Sequence, residues 1–311
     1  MTRLFDYFRL IRLPNLIIVG LTQLLVAQQL FGRHYQNFGI NPRIDAPELF
    51  LLIASTILIT ASGNIINDLF DQEADAVNKP RRQVLGKRIS TRLATWVFLF
   101  GSLIAFFLSF YLCLSIEMLT HFFLFPGILL LLVGYSWQIK RLPLLGNLLV
   151  AVLCAAVPGI IWLLEWERFQ LLATAAPELA SQMSGFLIWY MAFAGLATLF
   201  RELIKDMEDV AGDALVGCRT FPLIYGLAAT KYLALLLGGL LLALLSWEFL
   251  FFKSYFFRVP SLYFIIPGVF LPLIFSLYRL AIAKSKQHYH FISQMAKLIL
   301  LNGVLLLLFI E

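Results

Sequence analysis

The chain has little of what a water-soluble protein needs on its surface. Only 14% of its 311 residues are Asp, Glu, Lys or Arg, against about 25% in ordinary globular domains. That shortage excludes a soluble fold. Cysteine is also scarce: Cys113, Cys154 and Cys218 stand far apart with no CxxC spacing, which excludes a disulfide framework and a thiolate metal site. They read as buried small apolar residues. Of four histidines, His34 and His121 stand alone. His288 and His290 form an H-x-H with no third ligand, which reads as a loop feature. There is no low-complexity tract and no nucleic-acid motif, so the formal net charge of +6 points to anionic lipid rather than to nucleic acid. The first apolar run lacks a small-residue cleavage site, which predicts an uncleaved first membrane helix and a mature chain starting near Met1.

What is present is hydrophobicity, 61% of residues. Windows of about 20 mainly apolar residues mark membrane helices. Nine are predicted, over Leu13–Leu30, Leu49–Asn67, Ala94–Cys113, Phe122–Trp137, Leu144–Leu164, Gly185–Leu203, Tyr232–Trp247, Leu262–Leu280 and Met295–Ile310. The expected fold class is therefore an all-α integral membrane protein. Cytoplasmic segments carry an excess of Lys and Arg, and alternating the segments between two sides puts 19 of the 24 basic residues on the side of the N-terminus. The expectation is a multi-pass protein of the cell inner membrane with its N-terminus cytoplasmic.

The few acids are not scattered. Half of the 18 fall in two short windows, Asp68–Asp75 and Glu202–Asp213. Both windows read D-x-x-D-x-x-x-D: Asp68, Asp71 and Asp75, then Asp206, Asp209 and Asp213. On a helix each residue advances about 100°, and seven residues return to within about 20° of the start. Each window thus presents one stripe of carboxylates at the end of a predicted span. Asn67, Asp71 and Asp75 follow i, i+4, i+8, so an amide joins the first stripe. Crowded carboxylates raise one another's pKa unless a cation stands between them. Oxygen-only ligands suit Mg²⁺, which binds through one or two carboxylates plus substrate phosphate oxygens. Asn67, Asp68, Asp71, Asp75, Asp206, Asp209 and Asp213 are the candidate metal ligands, with a diphosphate bridging the rows. An acidic, solvated helix end is the plainer alternative.

Cationic residues follow each row. Lys79, Arg81 and Arg82 come after the first, with Lys87, Arg88 and Arg92 beyond them, while Arg201 and Lys205 lie inside the second window. Lys and Arg beside a metal–phosphate site bind non-bridging oxygens and stabilise a leaving diphosphate. Sidedness alone also accounts for such residues, and Lys205 suits either a phosphate contact or a salt bridge with a neighbouring acid.

The run from Asn67 to Asp75 resembles the N-D-x-x-D-x-x-x-D signature of the UbiA superfamily of intramembrane prenyltransferases. Asp209 to Asp213, then Gly217 and Thr220 to Gly226, is similar to the second aspartate motif of that family. Arg12-Leu13-Pro14-Asn15, Tyr135 to Lys140, Pro143 and Gly146-Asn147 extend the likeness over most of the chain. The resemblance implies one domain over residues 1–311, with nine helices in a ring around a central cavity open sideways to lipid. Cytoplasmic cap loops would carry the aspartate motifs at 67–75 and 206–213. It also implies Mg²⁺-dependent ionisation of an isoprenyl diphosphate to an allylic carbocation that alkylates a lipophilic acceptor. Asp71, Asp75, Asp209, Asp213 and Lys205 would be catalytic. Asn15, Asn67, Lys79, Arg81, Arg82, Tyr135, Lys140 and Arg201 would bind substrate, with Tyr135 and Trp137 shielding the cation through their π faces.

Within the superfamily, Arg201 to Asp213 reads R-E-x-x-K-D-x-E-D-x-x-G-D and looks most like the digeranylgeranylglyceryl phosphate synthase branch. That implies geranylgeranyl diphosphate as donor and geranylgeranylglyceryl phosphate as acceptor. Aromatic acceptors such as 4-hydroxybenzoate, and cyclisation of the prenyl chain itself, stay open. A cation-coupled transporter is a further alternative, because intramembrane carboxylates also mark ion paths. Transporters hold such groups near the bilayer midplane, whereas both rows here fall at span ends.

Overall fold

The computed structural model describes residues 2–80, 83–251 and 259–310. Among the described residues there is no strand, only an isolated bridge between Leu85 and Ile89. A backbone in lipid must satisfy its own polar groups, and a continuous helix does so. Nine described helices are long and apolar enough to cross a membrane: Leu13–Asn37, Ala46–Phe70, Thr91–Ser115, Leu119–Trp137, Leu145–Leu164, Pro177–Leu215, Phe221–Trp247, Ser261–Ala281 and Lys286–Phe309. Each contains or overlaps one predicted span. Their ends run further than the apolar windows because the helical pattern continues into polar residues that a hydropathy reading discounts.

Two of those extensions correct the sequence reading. The sixth helix ends at Leu215 rather than Leu203, so Asp206, Asp209 and Asp213 are helical and not on a cap loop. Arg201 to Ala211 contains no glycine or proline and is rich in residues that favour helix. At 39 residues this helix is nearly twice the length that spans hydrocarbon, so one end projects past the lipid. The ninth helix starts at Lys286 rather than Met295, which places His288 and His290 on a helix instead of a loop. Ser285 caps its N-terminus by accepting from the His288 N–H, in the usual manner of a serine N-cap.

The chain divides into two compact units. The first comprises Met1–Leu24, Arg43–Leu142 and Ala211–Arg219. Its core near the first acidic row consists of Leu10, Ile65, Val84, Leu85, Ile89 and Ala94. These side chains tie the segment after the row to the end of the second helix. Arg88 reaches back to the buried Asp6 at 2.8 Å, and Asn64 donates to the Ile11 carbonyl at 2.9 Å. Ser90 caps the third helix by accepting from the Leu93 N–H.

The second unit comprises Leu25–Pro42, Pro143–Val210 and Thr220–Glu311. On its sixth helix Trp189 stacks on Phe193 one turn along, with centroids 6.1 Å apart. Trp189 also donates its indole N–H to the Leu244 carbonyl at 2.9 Å. Asn302 on the ninth helix donates to the Gly268 carbonyl at 2.7 Å. Lys231 donates to the carbonyl of Ala281 at 3.4 Å, an end group of the eighth helix that has no partner within its own helix, and to the Ala283 carbonyl just beyond it at 2.7 Å.

Candidate active site

The first acidic row straddles the end of the second helix. That helix closes at Phe70 and a short helix, Gln72–Asn78, follows at once. Backbone bonds from Asp71 N–H to the Asn67 carbonyl at 3.0 Å and from Asp75 N–H to the Asp71 carbonyl at 2.8 Å bridge the junction. The predicted stripe is thereby kept across a one-residue break.

Each carboxylate of this row meets a cation. Arg12 donates to Asp68 at 2.7 Å and Lys79 donates to Asp75 at 3.3 Å. The most engaged is Asp71, which accepts from the Asn67 amide at 2.8 Å and from the Lys140 ammonium at 2.6 Å. Lys140 also donates to the Asn67 side-chain oxygen Oδ1 at 3.2 Å, and its side chain is only 11% exposed. Asn67, Asp71 and Lys140 therefore form one bonded set across 73 residues of sequence. Charge-assisted hydrogen bonds of this length are about twice as strong as neutral ones, so the lysine fixes the row's central carboxylate.

The end of the sixth helix joins this unit. The Gly212 N–H donates to the buried Asn78 side-chain oxygen at 2.9 Å. A Cβ on Gly212 would lie 2.6 Å from the Ala74 carbonyl oxygen and 2.3 Å from Asn78 Nδ2. Only glycine permits this approach between the short helix that carries Asp75 and the segment that carries Asp213. The sixth helix then stops at Gly217, whose φ of +70° suits a residue without Cβ. The next residue, Cys218, is half-buried. Burial pushes its thiol above the usual cysteine range, with the Asp213 and Asp71 carboxylates adding to the effect and Arg141 and Lys140 opposing it. Asp213 and Asp71 thus act electrostatically on one thiol.

In the second unit, Asp206 accepts from the Asn147 amide at 2.9 Å, and both Asn147 and Asp209 are buried. Glu208 bonds His290 Nδ1 at 2.9 Å. Glu202 is buried, hydrogen-bonded to Arg201 and 3.9 Å from Lys205. The salt-bridge alternative for Lys205 is therefore the one with a measured contact. Sequence reasoning assigned no role to Asn78, Asn147, Glu202, Glu208 or His290. Asn147 sat beside Gly146 in the family-like stretch, which was the available signal.

Several other expected residues are placed less tellingly. Asn15 is half-buried on the first helix, and Tyr135 is half-buried near the end of the fourth. Trp137 is 62% exposed. Arg81 and Arg82 lie outside the described residues. Among the described residues no group of three or more His, Cys, Asp or Glu side chains stands ready to chelate an ion. The donor chemistry nevertheless fits Mg²⁺, because every ligand candidate offers oxygen and none offers sulfur or imidazole nitrogen.

The arrangement of paired acid rows, interleaved cations and apolar spans has a counterpart among known proteins. The profile of the UbiA prenyltransferase family matches residues 38–298. The chain belongs to this family. A UbiA prenyltransferase it is, then, and the transporter alternative falls away. Relatives within the family include the digeranylgeranylglyceryl phosphate synthase of Methanosarcina mazei, 34% identical over 250 residues that cover 77% of each chain. The enzyme of the same name from Methanopyrus kandleri is 34% identical over 188 residues, covering 59% of this chain and 60% of that one. A solved UbiA homologue from Archaeoglobus fulgidus, bound to DMAPP and Mg²⁺, has a TM-score of 0.54 at 15% identity, covering 97% of this chain and 99% of that one. At that identity the likeness is one of fold.

Proposed function

We propose that this UbiA prenyltransferase moves a geranylgeranyl group from its diphosphate to geranylgeranylglyceryl phosphate, at the cytoplasmic face and with Mg²⁺. The observation that carries the proposal is the Asn67, Asp71 and Lys140 set, an acid row already matched to a buried ammonium. The relatives named as digeranylgeranylglyceryl phosphate synthases supply the choice of donor and acceptor. Sidedness rests on the 19 of 24 basic residues that fall with the N-terminus.

Asn67, Asp68, Asp71, Asp75, Asp206, Asp209 and Asp213 are the residues that would hold Mg²⁺. Bound there, Mg²⁺ supplies positive charge against the leaving diphosphate. The chain's own part is an exchange of partners. Lys140 and Lys79 now stand on Asp71 and Asp75. With substrate bound, the Lys140 and Lys79 ammonium groups would be offered to phosphate oxygens, where negative charge grows as the C1–O bond breaks, and Asp71 and Asp75 would be released to hold the metal. Arg81 and Arg82 are proposed to add to the phosphate contacts. Asn15 and Tyr135 contribute to the walls that keep water from the allylic cation, and Tyr135 offers its π face.

An acceptor screen tests the assignment. Purified protein receives radiolabelled geranylgeranyl diphosphate, Mg²⁺ and, in separate reactions, geranylgeranylglyceryl phosphate, 4-hydroxybenzoate or dihydroxynaphthoate. Label is expected in the ether lipid alone. Transfer to an aromatic acceptor, or a cyclised product without acceptor, would overturn it.

A further inference from the structure

The second acidic row continues inward past its expected start. Glu202, Asp206 and Asp209 are spaced by four and then three residues on one uninterrupted helix, so they share a stripe, and Glu202 lies within about 20° of Asp209. At about 1.5 Å per residue, Glu202 sits about 6 Å deeper along the axis than Asp206. Arg201 and Lys205 flank it. The side chains of Arg201, Glu202 and Lys205 are 14%, 9% and 26% exposed. Charged side chains this far along a membrane helix are costly and mark a functional site. In addition, Arg201 Nε is buried with no hydrogen-bond partner among the described residues, a donor whose desolvation nothing offsets. Arg201 thus keeps one buried donor for a ligand.

Resting on the function proposed above, we infer that Arg201, Glu202 and Lys205 form the head-group subsite of the acceptor. Arg201 and Lys205 take its phosphate monoester, and Glu202 takes the proton of the neighbouring hydroxyl. Geranylgeranylglyceryl phosphate, the acceptor proposed above, presents both groups, and the trio offers a complement to each within one helical turn. In the reaction, the hydroxyl oxygen forms a bond to C1 of the prenyl chain. The bond from C1 to the diphosphate oxygen breaks, and its electron pair leaves with diphosphate. The hydroxyl proton passes to the Glu202 carboxylate and from there to water. Two cations side by side suit a phosphate dianion better than the single carboxylate of 4-hydroxybenzoate, so the trio is also a determinant of acceptor choice.

The test uses full-length protein in detergent with geranylgeranyl diphosphate, geranylgeranylglyceryl phosphate and Mg²⁺. Glu202→Gln is expected to lower kcat about 100-fold, the scale of general-base catalysis, while binding of labelled geranylgeranyl diphosphate stays within about twofold of the parent. Glu202→Asp keeps the carboxylate and recovers most of the loss. Arg201→Lys removes the guanidinium fork and raises the KM for acceptor about tenfold without changing the KM for donor. A direct binding measurement of the acceptor with no donor or Mg²⁺ present should show the same loss for Arg201→Lys. Parent-like kcat in Glu202→Gln, or loss of donor binding in place of transfer, would overturn the assignment. If Glu202→Gln does not fold, an unchanged acceptor KM in Arg201→Lys overturns it alone. Failure of the parent protein to use this acceptor is a separate result that removes the functional reading itself.

Discussion

Asp68 and Asp206 hold the first place in the same D-x-x-D-x-x-x-D spacing, yet Asp68 meets the Arg12 guanidinium at 2.7 Å while Asp206 meets the Asn147 amide at 2.9 Å. The contrast separates two ways of preparing a carboxylate. A cation lowers the cost of crowding negative charge and can later move to a phosphate. An amide orients a carboxylate without cancelling its charge. In the first row all three aspartates meet Lys or Arg. In the second row Asp206 accepts from the Asn147 amide, and its neighbour Glu208 bonds the His290 imidazole. Equal spacing therefore goes with unlike surroundings: Lys or Arg on each aspartate of the first row, and a side-chain amide on Asp206 of the second.

The largest effect is expected where that contrast does not matter. Asp71→Asn and Asp209→Asn each remove a proposed metal ligand and should lower turnover about 1,000-fold, the upper range for loss of one charge-stabilising contact. The measurement is labelled product per enzyme, on protein shown by size-exclusion chromatography to be monodisperse. Next comes the pair that separates the rows. Lys140→Ala should lower kcat/KM for geranylgeranyl diphosphate about 100-fold, with a raised KM, because a phosphate contact is lost along with the support of Asp71. Asn147→Ala should cost about tenfold, equivalent to one hydrogen bond to a charged group, and should act on kcat more than on KM. Equal KM changes in the two variants would erase the distinction between the rows.

A smaller effect tests how the rows are held. Gly212→Ala puts a methyl against the Ala74 carbonyl oxygen, which as backbone cannot swing away, and against Asn78. The expected destabilisation is about 1–3 kcal/mol, read as a fall in Tm in detergent and a weaker response to Mg²⁺ with diphosphate. The smallest effect is at the rim. Arg12 and Asp68 are 33% and 21% exposed, so Arg12→Ala should cost no more than about 1 kcal/mol. A loss several times larger would mean that Arg12 orders the first row as Lys140 does.

Much of the fold was legible because lipid imposes a simple rule: apolar runs of sufficient length must be helices. The helix ends were not legible, since the residues from Lys205 to Asp213 are too polar for an apolar window to report, although they contain no proline to stop the helix. The same polarity led His288 and His290 to be read as a loop. The aspartates stood out through their repeated spacing, which is local. Partners far away in sequence did not. Nothing near Asp71 indicates that Lys140 will meet it, and only the family-like stretch from Tyr135 to Lys140 pointed there. Asn78 gave no signal and Gly212 stood only as the glycine of the R-E-x-x-K-D-x-E-D-x-x-G-D pattern, because their bond depends on how two segments pack and leaves no spacing to read.

The central claim is that both acid rows serve one metal-dependent loss of diphosphate, and one titration addresses it most directly. Diphosphate release from labelled geranylgeranyl diphosphate in the presence of acceptor is followed against Mg²⁺ concentration for the parent, Asp71→Asn and Asp209→Asn. The account predicts release that rises with Mg²⁺ in the parent, vanishes with EDTA and is lost in both variants. Release that is independent of Mg²⁺, or that survives at the parent rate in either variant, would contradict it.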